Sequence, residues 1–191
     1  MTPEQVNEEA NAIWEAERRE RLVGNLLKNR PAAFADPGDL NPRLKAWAIA
    51  LAGGVTQNLV LTGPVGAGKT WAVWKAAETA VRYGYEGSVV ITTAARLRRI
   101  IAPSTAEPQE FTRYCEAGLL AVDDIAAMRL SEWDLDHLGE LADIRWAAKA
   151  PTVITSNKTK LSELLGPRIS SRIQHNALTV ALDGPDRRRQ K

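Results

Sequence analysis

Leu59-Val60-Leu61-Thr62-Gly63-Pro64-Val65-Gly66-Ala67-Gly68-Lys69-Thr70-Trp71 is the stretch from which the rest of this chain can be read. A short apolar run feeds a G-x-x-x-x-G-K-T loop, and a helical pattern follows from Lys69 to Tyr83, ending near Gly84. A strand that opens through glycines onto a helix N-terminus is a phosphate cradle: backbone N–H groups converge there, and the helix dipole favours an anion. Gly63, Pro64, Val65, Gly66, Ala67 and Gly68 are expected to wrap a nucleoside triphosphate, with Trp71 bordering them. Lys69 is expected to reach the β- and γ-phosphates, and the Thr70 hydroxyl to hold Mg²⁺.

Two further segments supply the polar groups that such a cradle needs. Leu119-Leu120-Ala121-Val122-Asp123-Asp124 reads as a buried strand delivering two carboxylates to one edge of a sheet. Asp123 would orient the metal and its waters, and Asp124 would polarise an attacking water as general base. Thr155-Ser156-Asn157 ends another apolar run, and Asn157 there can hydrogen-bond the γ-phosphate or the attacking water.

Outward from these motifs the chain alternates strand and helix. Strand-like runs fall at 58–62, 88–92, 119–122, 152–155 and 177–182, and helical stretches at 69–83, 94–102, 108–117, 132–149 and 161–174. Apolar strands joined by helices predict a parallel α/β sheet with right-handed crossovers. Ahead of them, Asn41 caps a helix with Pro42 at its first position, and Leu44, Trp47, Ala48 and Leu51 form a core face at helical spacing. The chain opens on a Glu/Arg-rich helix from Pro3 to about Lys28, with Thr2 and Gln5 at capping-box spacing and a thin apolar line through Val6, Ala10, Ile13 and Trp14. That helix reads either as a solvated element leaning on the domain or as an arm for a partner. Residues 1–40 therefore form a helical extension and connector, and residues 41–191 the nucleotide-binding domain.

Composition narrows the class. The chain has 191 residues, 45% hydrophobic and 25% charged, which suits one soluble globular domain. No apolar run approaches a membrane span and no leader opens the chain, so a cytoplasmic protein without membrane contact is expected. A single cysteine, Cys115, and two separated histidines provide no protein-built metal site. A net charge of +2 is too even for DNA binding by bulk charge, leaving the local clusters at Arg96, Arg98 and Arg99 and at the C-terminus.

The order of these motifs, followed by Gly166-Pro167-Arg168-Ile169-Ser170-Ser171-Arg172-Ile173, resembles the AAA+ ATPases, and more narrowly their DnaC/IstB-like branch of helicase loaders and transposition helpers. The resemblance runs from about Arg30 to the C-terminus. It implies a three-layer P-loop AAA+ fold on a five-stranded parallel sheet, with little or no lid domain. By the same resemblance Asn157 stands at the sensor-1 position, and Arg172 is an arginine finger acting in trans on a neighbour's ATP. Arg168 lies one helical turn earlier and shares that face; both arginines also read as plain solvated helix charges. Gly184-Pro185-Asp186-Arg187-Arg188 loosely matches the family's C-terminal motif and would put Arg188 at the sensor-2 position, a basic tail being the alternative. Asp124 departs from the Glu that most AAA+ proteins carry, which implies slow, switch-like hydrolysis.

The resemblance also implies partners. In loaders and initiators the insertion between the second and third strands faces single-stranded DNA. Here it carries Arg96, Arg98 and Arg99 with no acid between Thr93 and Pro103, so sequence-independent contact with the phosphate backbone is expected, an exposed basic helix face being the plainer reading. A bacterial, or phage-encoded, loader of a DnaB-type replicative helicase is the leading expectation, assembling into a spiral or hexamer-like oligomer, with ATP and Mg²⁺ as cofactors. A transposition helper shares the same motifs. A small-molecule P-loop kinase and a DNA-binding module that merely holds ATP are more distant readings.

Overall fold

The computed structural model describes residues 2–127 and 130–183. In chain order these form α1 (Pro3–Lys28), α2 (Pro42–Ala52), β1 (Asn58–Thr62), α3 (Lys69–Arg82), β2 (Val89–Thr93), α4 (Ala94–Ile101), α5 (Pro108–Glu116), β3 (Leu119–Asp123), α6 (Glu132–Ala147), β4 (Thr152–Ser156), α7 (Leu161–Gln174) and β5 (Ala177–Ala181). The five strands pair in parallel in the order β2-β3-β4-β1-β5. Strand β4 is thus inserted between the phosphate-loop strand β1 and the acid-bearing strand β3. Every residue of β3 is buried, as expected of an inner strand covered on both faces.

Alternation along each strand divides the core into two layers. Leu59, Leu61, Leu119, Ala121 and Val153 face α2 and α3, where Leu44, Trp47, Ala48 and Leu51 are buried as their spacing predicts. Val60, Leu120, Val122 and Ile154 face the other way, toward α4, α5, α6 and α7. Each such leucine or valine, fully buried, contributes about 1.5–3 kcal/mol of transfer free energy. The result is the three-layer AAA+ arrangement, and among the described residues no helical lid follows β5.

Local sequence sets the element ends. Asn41 Oδ1 accepts the Arg43 N–H at 2.9 Å, and Ser131 and Asp134 close a full capping box on α6. Three strands reach one residue further than the apolar pattern indicates: β2 to Thr93, β3 to Asp123 and β4 to Ser156. Ladder hydrogen bonds carry polar residues that hydrophobicity leaves out. The helix expected over 161–174 is broken at Gly166, whose φ of 74° and ψ of 166° are non-helical. Pro167 is the cause: its ring disfavours the helical region for the preceding residue, while its own φ suits the first position of a new helix.

Helix α1 behaves differently along its length. Its C-terminal half docks on α3 through buried Val23 and partly buried Leu26, with Arg18 paired to Glu86 and Glu20 paired to Arg82. Ala10, Ile13 and Trp14, members of the apolar line noted above, are exposed, so the apolar residues that hold α1 to the domain lie about two to three turns further on. The connector then crosses the start of α3: Asp36 O accepts the Trp71 indole N–H at 2.9 Å, and Gly38 lies against the same ring.

Candidate nucleotide site

The C-terminal edge of the sheet gathers the motif residues. Gly63, Gly66 and Gly68 have φ of 145°, 85° and 87°, a region that L side chains avoid. At Gly63 space is decisive as well, since a Cβ would stand 2.1 Å from the Leu182 carbonyl oxygen. Gly68 is the N-cap of α3 and supplies no side-chain cap. The first-turn N–H groups are therefore available to phosphate oxygens. Lys69 Nζ folds over the loop and donates to the carbonyls of Gly63 (2.7 Å) and Pro64 (2.8 Å), which aims its charge at the volume the loop encloses.

The acid pair is held by a network of short side chains. Asp123, 8% exposed, ends β3 and accepts two hydroxyl bonds, from Thr70 on Oδ2 at 2.8 Å and from Thr155 on Oδ1 at 2.6 Å. Thr155 Oγ1 in turn accepts the backbone N–H of Asp124 at 2.8 Å. One hydroxyl thus orients the carboxylate of Asp123 and pins the turn at Asp124, whose φ of 57° throws the chain away from the strand. Asp tolerates that conformation better than most residues. Asp124 itself is exposed at the lip of the site. Thr70 and Asp123 place two hard oxygens side by side, which fits a Mg²⁺ ion that would take its remaining ligands from phosphate and water. Asn157 is exposed directly after β4, and because Ser156 is in register with Thr62 it stands beside the phosphate loop.

The two arginines of α7 lie elsewhere. Asn58, the first residue of β1, donates through Nδ2 to the carbonyls of Arg172, Ile173 and His175, so this part of α7 sits at the N-terminal edge of the sheet. A five-residue strand at about 3.3 Å per residue separates it from the chain's own phosphate loop by roughly 13 Å. Arg168 and Arg172 both pair with Asp143 of α6, and the Arg172 guanidinium lies 3.8 Å from the centre of the Trp146 ring. A cavity of about 450 Å³ opens beside them, between α6, α7 and the sheet, walled by Val122, Ile154, Leu165 and Ile169. It is separate from the phosphate loop, where backbone donors form a cradle and no deep pocket is needed.

Of the cations on α4, Arg96 is paired with Glu107 at 2.7 Å and Arg98 with the buried Asp134 at 3.3 Å, while Arg99 is exposed. Arg188 lies outside the described residues.

Three residues, Thr155, Asp143 and Arg145, have roles in the structure that the motif pattern does not assign. Thr155 was visible only as part of a strand tip. Asp143 carries no motif. Arg145 is fully buried and donates to the carbonyls of Tyr114, Cys115, Ala117 and Pro151 and to Thr152 Oγ1, stapling the ends of α5 and β4 together. Burial pulls its pKa down to about 10, so it remains a cation at neutral pH, held by carbonyl dipoles.

A phosphate loop, an acid-ended strand and a polar strand inserted between them define the AAA+ class of P-loop ATPases. Residues 50–191 match the family described as IstB-like ATP binding protein, and the chain belongs to that family. No protein of curated function matches it. Among solved structures, a crystal structure of DnaI is 22% identical, with 83% of this chain and 94% of that one aligned and a TM-score of 0.64. The DnaC helicase loader is 15% identical over 80% of this chain and 100% of that one, with a TM-score of 0.66. The replication initiator DnaA bound to AMPPCP and single-stranded DNA is 18% identical over 78% of this chain and 48% of that one, with a TM-score of 0.61. At these identities the likeness speaks for the fold. Among the described residues no helix is long and apolar enough to cross a membrane.

Proposed function

We propose that this chain is an ATP-hydrolysing loader of a DnaB-type replicative helicase onto single-stranded DNA. The observation that carries the reading is the separation of the phosphate loop and the Arg168/Arg172 pair to opposite edges of one sheet. Arg172 is out of reach of its own nucleotide and serves the site of a neighbour, so copies assemble head to tail and hydrolysis follows assembly. Within each site Gly63 to Gly68 and Lys69 hold the phosphates, Thr70 and Asp123 hold Mg²⁺, Asp124 draws the proton from the attacking water and Asn157 orients it. Bound Mg²⁺ would neutralise charge developing on the β- and γ-phosphate oxygens. The structural likeness to DnaI and to the DnaC helicase loader over nearly their whole length supports the loader reading. Exposed Ile13 and Trp14 on the free half of α1 offer a helicase-docking anchor. Arg99, with Arg96 and Arg98 once released from their pairs, follows the DNA backbone. A cytoplasmic site of action in a bacterial cell fits this work.

The family match supports a second reading, in which the same ATPase assists a transposase. Purified chain, a DnaB-type hexamer, circular single-stranded DNA and ATP separate the two. Helicase retained on the circle with wild-type chain, and lost with Lys69→Ala, is the expected result. No retention with wild-type chain, together with ATP-dependent stimulation of a cognate transposase, would replace the loader by the helper.

A further inference from the structure

At the N-terminal edge of the sheet, two facing helices each contribute a pair of residues one turn apart: Asp143 and Trp146 from α6, Arg168 and Arg172 from α7. The two arginines are not held alike. Asp143 Oδ1 accepts from Arg172 Nε at 3.0 Å, the side of the guanidinium nearest the backbone, and the Trp146 ring covers one of its faces at 3.8 Å. Among the described residues no acceptor is bonded to Arg172 Nη1 or Nη2, so the forked end of the partly exposed group is left without a protein partner. Arg168 is gripped the other way, spending its terminal Nη2 on Asp143 Oδ2, although its side chain is 77% exposed.

We propose that Asp143 and Trp146 are positioning residues for the trans-acting arginine: they fix the Arg172 guanidinium with its fork presented to a neighbour's γ-phosphate, while Arg168 serves Asp143 and not the phosphate. This assignment rests on Arg172 acting in trans, as set out under the proposed function. The physical gain is preorganisation. A free arginine side chain loses rotamer entropy when it is ordered, and here the ordering is complete before the neighbour arrives. Planar stacking on an aromatic face and a bond at Nε leave both Nη groups for bidentate contact with phosphate oxygens. Two cations share one carboxylate, so a net positive charge remains to meet the phosphate. The hydrogen bonds from Arg172 and then Arg168 hold the Asp143 carboxyl below its ordinary range, which keeps the anchor ionised at neutral pH.

The test uses the full chain in steady-state ATPase assays across protein concentration. Arg172→Ala is expected to abolish assembly-dependent turnover, as removal of a donor to the transition state does. Asp143→Ala is expected to lower kcat about tenfold, the scale of a misplaced group, with KM for ATP and the protein concentration at half-maximal rate unchanged. Asp143→Asn keeps an oxygen for Nε and is expected to recover most of the rate. Arg168→Ala should cost less than Asp143→Ala, and Arg172→Lys, which has no Nε–H to grip, should behave like Arg172→Ala. Trp146→Leu, at an exposed position, should lower kcat alone and serves if Asp143→Ala does not fold. Wild-type or higher kcat in Asp143→Ala and Trp146→Leu, with Arg172→Ala inactive, overturns the positioning role and leaves the finger standing. Wild-type turnover in Arg172→Ala overturns the finger and this inference together.

Discussion

The two edges of the sheet solve the same problem, holding polar groups still, with opposite materials. At the C-terminal edge the work is done by backbone and short side chains: three glycines, two threonine hydroxyls and one buried carboxylate, all on strand ends or on the loop and first helical turn that follow β1. At the N-terminal edge it is done by long cations reaching between elements far apart in sequence. Arg145 spans α6 to the ends of α5 and β4, and Asp143 meets residues of α7. Short groups on strand ends cannot be moved without moving the sheet, so that edge holds a geometry with little side-chain entropy to lose. Long side chains need a buried socket or an aromatic wall to reach the same order, and Arg145 and Arg172 have one each.

Removing the socket's occupant is the strongest way to break the comparison. Arg145→Ala takes the donor from the Tyr114, Cys115 and Ala117 carbonyls, while Pro151 O keeps the Leu120 N–H, and unsatisfied buried acceptors cost enough that a loss of about 3–5 kcal/mol is expected. The midpoint of urea unfolding reads it; a shift under 1 kcal/mol would mean that water replaces the guanidinium and that the long-side-chain edge is softer than described. Thr155→Val, nearly isosteric, tests the other edge. It strips one bond from Asp123 and the hydroxyl acceptor of the Asp124 N–H, so kcat should fall about tenfold, equal to about 1.4 kcal/mol, with ATP affinity little changed. Equal losses in affinity and turnover would show that Thr155 shapes the whole cradle and not the acid pair.

A smaller effect sharpens the contrast between buried and exposed ion pairs. Glu78 of α3 is buried and meets Arg82, Lys75 and Arg30, the last from the start of the connector. Burial by itself raises its pKa, but the hydrogen bond from Arg82 and the charges of Lys75 and Arg82 outweigh it, and the net direction is down. A depressed folded-state value stabilises fully above the unfolded value, near 4.5, and the contribution fades as pH falls through the lower folded one. Glu78→Gln should therefore cost on the order of 1 kcal/mol at pH 7, and the difference from wild type should shrink below about pH 4. A difference independent of pH would place the role of Glu78 in packing.

Legibility in the sequence follows the same division. The phosphate loop, the acid pair and Asn157 are readable because each is contiguous and attached to an apolar strand of period two. Strand existence is readable for the same reason, and the strand order is not, because pairing of β1 with β4 joins segments 94 residues apart through contacts such as Thr152 N–H to Asn58 Oδ1. Thr155 was hidden by its ordinariness: a threonine near a strand end is common, and only β4 lying between β1 and β3 gives it two aspartates to serve. Asp143 looked like one more acid on a charged helix. The apolar line of α1 leaves its role open for a different reason: a stripe of Ala10, Ile13 and Trp14 has helical spacing whether or not anything covers it, and here all three are exposed.

The junction at Gly63 has a practical corollary. Leu182 N–H donates to Thr62 O at 2.8 Å, and its own carbonyl occupies the space where Gly63 would carry a side chain. The polypeptide therefore leaves the sheet against the lip of the nucleotide cradle. Anything inserted directly at Asp183, whether an affinity tag, a fluorescent protein or a surface anchor, is planted beside the nucleotide cradle. Fusions placed ahead of Thr2 begin at the outer end of α1 instead, and they are the ones with which nucleotide affinity should be measured.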